Sequence, residues 1–257
     1  MRIGAYQFRV TGNIDENRKT ILKAISEAVS QKLDLLVFPE CTLTGYPPYD
    51  IPNSAAVDFH RVMACLEELQ IVASEKKLCI ILGTILKDQE KIYNSAVVFV
   101  PDREPFVYSK RALWGYDKNN FSSGHNGGVF RLSDRKIGVR ICFEVRFPEY
   151  FRELYRENTD LDIILFYDIS KQEDLQRYEL IRSHICTRAV ENVCPILTVN
   201  TSATFQTAPT ALFGRSGQVL LEQERNKEGL FQYDLDFPPL DFGEQGRKEI
   251  SDLLIKA

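Results

Sequence analysis

The sequence predicts an α/β protein in which helices cover the outer faces of two mixed sheets packed on each other. Two observations carry this. Short apolar runs recur along the whole chain, interleaved with amphipathic helical patterns at the front and middle and with hairpin signals elsewhere. No low-complexity linker or composition break interrupts them, so residues 1–257 read as one domain, long enough to bury a full core.

Taken in order, a strand over 2–8 leads to a helix over 15–31, whose Ile21, Leu22, Ile25 and Val29 share one face. An apolar strand over 34–38 ends in Pro39-Glu40, and the turn-rich loop 44–50 follows. The periodicity of Val57, Val62, Leu66, Leu69 and Val72 predicts a helix over 55–76. Strands over 79–85, 94–100 and 106–108 read as antiparallel neighbours joined by short turns. Residues 111–128 form a long irregular segment rich in Gly, Asn, Ser and aromatics, and loops this long in a compact domain are commonly functional. Strands over 129–132 and 136–141 lead to Cys142, then a helix over 148–157 that Pro148 opens. A strand over 161–166, a helix over 175–192, and strands over 195–200, 210–213, 219–222 and 229–234 complete the series. The tail from 237 holds one weak helix.

Composition narrows the function. A net charge of -4 argues against a nucleic-acid or anionic-membrane partner, both of which need a basic face. No segment reaches the apolar length of a membrane span. The N-terminus enters a strand-like run at once, without a signal peptide's apolar region, and the expectation is a cytoplasmic protein. The six cysteines form no C-x-x-C pair, and three scattered histidines (60, 125, 184) leave little from which to build a zinc site.

Cys142 sits where a strand breaks and a helix is about to begin, a junction that aims free backbone N–H groups at whatever binds there. On that stretch alone it is either a nucleophile or a small buried hydrophobe. Glu40 and Lys110 also lie at or just past strand ends, and in layered α/β folds such ends converge on one crevice. Each alone reads as a surface charge. Together they meet the needs of acyl transfer to sulfur. A thiol is mostly protonated at neutral pH and needs a base, which a desolvated Glu40 supplies. An ammonium at Lys110, with the N–H of Phe143, can hold the developing oxyanion. A Cys–His pair is the competing arrangement, and neither His125 nor His184 is placed to form it.

At these residues the chain resembles the nitrilase superfamily of carbon–nitrogen hydrolases over essentially its full length. Phe38-Pro-Glu40 with Leu43-Thr-Gly-Tyr46 is similar to the family's glutamate motif, and Tyr108-Ser-Lys-Arg-Ala-Leu-Trp114 to its lysine motif. Gly138-Val-Arg-Ile-Cys-Phe-Glu-Val-Arg-Phe-Pro-Glu149 is similar to its cysteine motif, and Arg188-Ala-Val-Glu-Asn192 followed by Val199-Asn200 to a late segment. The resemblance implies a four-layer α-β-β-α sandwich, no metal and no organic cofactor. It also implies Glu40 as general base, Lys110 as stabilising cation and Cys142 as nucleophile. It further implies a homodimer or higher homo-oligomer, associating through the helix after the cysteine.

Three departures matter. Many members carry a second glutamate in the loop after the lysine; here Asp117 takes its place, and a solvated loop aspartate is the alternative. Ala112 replaces a frequent histidine, and the stretch after Asn200 lacks the usual glycines. The loops after the strand ends bring Tyr46, Tyr49, Trp114, Tyr116, Phe143, Tyr167 and Asp168 to the pocket wall. So many aromatics fit a small or flat acyl group rather than a highly charged one. Asp168 reads either as a partner for a cationic or amide-bearing substrate end or as a helix cap. Cys41, beside Glu40, carries the idea of a thiol that modulates Cys142, although alternation along an extended segment points it the other way. The expected function is an amidase releasing ammonia from a small linear amide or N-carbamoyl compound through a thioester. The alternatives are a nitrile hydrolase, or a catalytically weak binding or regulatory protein on the same fold.

Overall fold

The computed structural model describes residues 1–256. The first half of the chain runs β1 (Arg2–Gln7), α1 (Ile14–Ser30), β2 (Leu35–Val37), α2 (Phe59–Lys76), β3 (Cys79–Asp88), β4 (Lys91–Phe99), β5 (Phe106–Ser109) and α3 (Tyr116–Asn120). The second half runs β6 (Val129–Leu132), β7 (Arg135–Ile141), α4 (Pro148–Glu157), β8 (Leu161–Phe166), α5 (Leu175–Asn192), β9 (Ile196–Asn200), β10 (Ala211–Phe213), β11 (Val219–Glu222), β12 (Gly229–Asp234) and α6 (Phe242–Lys256).

Two six-stranded sheets result, ordered β12-β1-β2-β3-β4-β5 and β11-β10-β9-β8-β7-β6. Each has three parallel strands at its centre, β1-β2-β3 in one and β7-β8-β9 in the other, flanked by antiparallel partners. Parallel strands buried on both faces should read as apolar runs, and Leu35–Val37 and Leu161–Phe166 are buried throughout. Three apolar clusters separate four layers. Ile3, Val37, Ile81, Val139, Ile163 and Val199 fill the space between the sheets. Ile21, Ile25, Leu66 and Leu69 pack α1 and α2 on the first sheet, while Phe151, Leu154, Ile181 and Ile185 pack α4 and α5 on the second.

Several boundaries differ from the sequence reading, each for a local reason. The helix expected from residue 55 is divided: Asn53 caps a short 3-10 turn at Ser54–Ala56, then Asp58 caps α2 through Arg61 N. β3 and β4 extend past their apolar residues to a two-residue turn, because the charged tip pairs by backbone alone in solvent. The irregular segment contains α3, and a 3-10 turn over Cys142–Arg146 precedes α4, so helical geometry starts at the cysteine itself. The tail helix α6 is long yet lacks an apolar buried stripe. It docks by its polar side, with Tyr155 donating to Lys248 O, Arg152 to Ser251, and Arg215 paired with Glu244. Phe242, Ile250, Leu253 and Leu254 are left outside.

Candidate active site

The carboxyl ends of the central parallel strands open at one end of the sandwich. Glu40 follows β2, Lys110 follows β5, Cys142 follows β7, and Tyr167 and Asp168 follow β8. Gly83 on β3 lets the Glu40 backbone come this close. A Cβ there would lie 2.1 Å from Pro39 O and 2.6 Å from Glu40 Cα, so no larger residue fits without moving the motif. Cys142 has a φ of +48°, a left-handed conformation that costs on the order of 1–3 kcal/mol in a non-glycine residue. The turn it makes throws the side chain out of the strand. It also leaves the N–H of Phe143 in the first helical turn, where no intrahelical acceptor exists.

Glu40, Lys110 and Asp117 form one buried ionic cluster, each 3% exposed or less. Lys110 Nζ lies 2.8 Å from Glu40 Oε1 and 2.8 Å from Asp117 Oδ2. Glu40 Oε1 also accepts from Asn94 Nδ2 at 2.7 Å, and Oε2 accepts from the Tyr167 N–H at 2.8 Å. Asp117 Oδ1 accepts from the Tyr46 hydroxyl at 2.6 Å. Asp117 is therefore no solvated loop residue; the short helix α3 carries it inward to Lys110, which makes up for its missing methylene.

The electrostatics follow from two carboxylates sharing one ammonium in a desolvated place. Burial pushes the Glu40 carboxyl above its ordinary range, Lys110 opposes this, and Asp117 adds to it. Burial works to lower Lys110, but Glu40, Cys142 and Asp117 together hold it well above the usual lysine value. Burial and the Glu40 charge push the Cys142 thiol well above its usual value, against the pull of Lys110. The resting sulfur therefore carries its proton and needs a base at the moment of attack.

Cys142, Lys110 and Asp117 line a cavity of about 350 Å³ together with Tyr46, Tyr49, Trp114, Tyr116, Phe143, Tyr167 and Asp168. The rings of Tyr46 and Tyr167 stack at 4.9 Å, making a flat wall. Three larger recesses, of about 500, 450 and 520 Å³, lie elsewhere and hold none of these groups. Among the described residues, no three or more His, Cys, Asp or Glu side chains gather as metal ligands.

The Carbon-nitrogen hydrolase family matches residues 2–241. The chain belongs to that family. It is 28% identical over 247 residues to the 2-oxoglutaramate amidase of Bacillus subtilis (strain 168), covering 91% of this chain and 90% of that one. It is 31% identical over 162 residues to a glutamine-dependent NAD(+) synthetase of Acinetobacter baylyi, of whose length the match spans 29%. An amidase from Nesterenkonia sp. AN1, solved as a cysteine-to-alanine mutant in complex with butyramide, superposes with a TM-score of 0.82 at 23% identity, covering 98% of this chain and 96% of that one. The shared fold is the sandwich described above.

One expectation needs correction, for Asp168, while Cys41 lies turned away from Cys142 as the alternation of its segment suggests. Asp168 is neither a free carboxylate nor a helix cap: Arg177 Nη2 lies 2.9 Å from its Oδ1, and Thr207 donates to the same oxygen. The cap of α5 is Asp174. Cys41 faces Asn94 at 3.6 Å in the core under α1 and α2, and burial holds its thiol well above the usual value, so it is an inert buried thiol.

Sequence reasoning missed several contributors. Asn94 looks like an ordinary strand residue. Glu144 looks like a surface charge at a helix start, yet it is wholly buried and ties two motifs together. Its Oε1 accepts from the Tyr108 hydroxyl and the Arg111 N–H, each at 2.7 Å, and its Oε2 from the Ile141 N–H at 2.7 Å. That single carboxylate holds the segment after β5, which bears Lys110, against the turn that bears Cys142. Arg146, Arg177 and Ile181 also line the cavity.

Proposed function

We propose that the chain is an amidase that hydrolyses a small linear amide or N-carbamoyl compound and releases ammonia through a thioester on Cys142. The observation that carries this is the meeting of Lys110, Asp117 and Cys142 at one cavity, with Glu40 bound to Lys110 at 2.8 Å just behind its wall. As the sulfur attacks the carbonyl carbon, Glu40 takes the thiol proton. The carbonyl oxygen becomes an oxyanion, held by the Lys110 ammonium and the Phe143 N–H. Glu40 returns the proton to the nitrogen as the C–N bond breaks and ammonia leaves. Water, deprotonated by Glu40, then attacks the thioester; the acid departs and the thiol is restored. Lys110 stays protonated throughout, because Asp117 remains ionised beside it while Glu40 carries the transferred proton. A catalytically weak binding protein rests on Asp117 and on the altered stretch after Asn200; the contact of Asp117 with Lys110 answers the first ground and favours the amidase.

The six cysteines stand as free thiols, which fits a cytoplasmic enzyme. Among the described residues, no helix is long and apolar enough to cross a membrane. We place a homodimer contact on the face of α4. The test of function is ammonia release over a panel of ω-amides, N-carbamoyl amino acids and aliphatic amides. Turnover that resists EDTA and disappears in Cys142→Ala supports the reading; a panel without turnover refutes it.

A further inference from the structure

The charges lining the cavity are ordered by depth. At the buried end, Lys110 faces two carboxylates, so the inner wall carries excess negative charge and suits the donor end of an amide. At the open end stand two guanidinium groups. Arg146 lies over the Phe143 ring at 5.8 Å and has no carboxylate partner among the described residues. Arg177 is nearly half exposed and held by Asp168, which is itself 5% exposed and fixed by Thr207 and by the Asn200 amide oxygen on its backbone N–H.

Asp168 uses only one nitrogen of Arg177. Nη2 contacts both Asp168 oxygens, at 2.9 and 3.1 Å, while Nε and Nη1 have no protein acceptor among the described residues. A guanidinium anchored at one corner with its other N–H groups open is a preorganised acceptor site for a planar anion. It lines the same cavity as Cys142. The inner wall repels an anion and the outer wall attracts one, so a substrate that is an amide at one end and a carboxylate at the other has only one favourable orientation.

We propose that Arg177, positioned by Asp168 and assisted by Arg146, binds a carboxylate at the far end of the substrate, so the substrate class is a linear monoamide of a dicarboxylic acid. This rests on the amidase reading above and names the substrate class for the same site. It also replaces the sequence-based expectation of an acyl group without strong charge.

The test compares glutaramate with pentanamide, which differ at the far end by a carboxylate against a methyl group. Wild type is expected to favour glutaramate in kcat/KM by roughly 10- to 100-fold, the range of a charge-assisted hydrogen-bonded contact. Arg177→Gln should collapse that ratio towards one through KM, Arg177→Lys should keep part of it, and Asp168→Asn should lower it less than Arg177→Gln. Titration of glutaramate into Cys142→Ala protein, with and without Arg177→Gln, reads the same contact without turnover. Preference for pentanamide, or an unchanged ratio in Arg177→Gln, overturns the proposal while leaving the amidase reading intact. Glutaramate that is neither bound nor turned over also overturns the proposal, whereas Arg177-dependent glutaramate binding with no turnover of any amide in the panel overturns the amidase reading instead.

Discussion

Asp117→Asn isolates the role of the second carboxylate. The substitution is isosteric, and the amide can turn its oxygen to Lys110 and its nitrogen to the Tyr46 oxygen, so packing is kept. What disappears is a negative charge near Glu40. Both carboxylate oxygens lie 2.8 Å from Lys110 Nζ, which puts them no more than 5.6 Å apart. At an effective dielectric constant of about 20, two unit charges at that limit repel by about 3 kcal/mol. Asp117 therefore strengthens Glu40 as a base, in line with its upward effect on that carboxyl. If half of this energy is expressed in the proton-transfer transition state, the loss is about 1.5 kcal/mol, or roughly tenfold in kcat/KM. The sign with pH is also fixed. The base works ionised, so activity falls as pH drops through the Glu40 pKa; removing the repulsion lowers that pKa and moves the acidic limb to lower pH. The assay is ammonia release from pH 4 to 9 for wild type, Asp117→Asn and Asp117→Glu. An acidic limb that stays in place, or moves up, in Asp117→Asn refutes the reasoning.

Further expectations follow from buried groups. Asp162 on β8 is fully buried, neither carboxylate oxygen has a protein hydrogen-bond partner among the described residues, and burial raises its pKa to about 6 from 3.8. Below both values it contributes nothing; above pH 6 the folded state carries a penalty of about 3 kcal/mol. Asp162→Asn should therefore be more stable than wild type at pH 8, by up to that amount, and show no such gain at pH 4 in urea melts. Glu144→Gln keeps its volume but can accept at only one oxygen, so it should cut kcat by at least tenfold with little change in KM, measured by initial rates. Cys41→Ser should match wild type in its rate of peroxide inactivation, since the two thiols face different layers. Sedimentation equilibrium should give about twice 29.5 kDa if α4 forms the dimer contact.

Much of the layout was legible because it is written locally. Glu40, Lys110 and Cys142 each sit at the end of an apolar run, and strand ends of a parallel sheet share one edge by construction. The strand Leu161–Phe166 and the helix Leu175–Asn192 coincide with the ranges their apolar patterns suggest, since strand and helix periodicity are strong there. The remainder depends on pairs far apart in sequence. Asp117 reads as a loop residue until α3 brings it to Lys110. Asp168 reads as a free acid until α5 lays Arg177 across it, nine residues on. Glu144 has the pattern of a solvated helix start, and only the packing of β5 against the Cys142 turn explains why a charge is buried there. The tail helix was underestimated because it docks through polar residues, which hydrophobic periodicity does not register.

The account centres on a thioester at Cys142. Rapid-quench intact-mass analysis with peptide mapping tests it most directly, using glutaramate, pentanamide or whichever amide the panel shows to be turned over. The prediction is an adduct of the substrate mass less ammonia, confined to the peptide containing Cys142, together with complete loss of ammonia release in Cys142→Ala. Undiminished ammonia release by Cys142→Ala, or an acyl adduct on another residue, contradicts it.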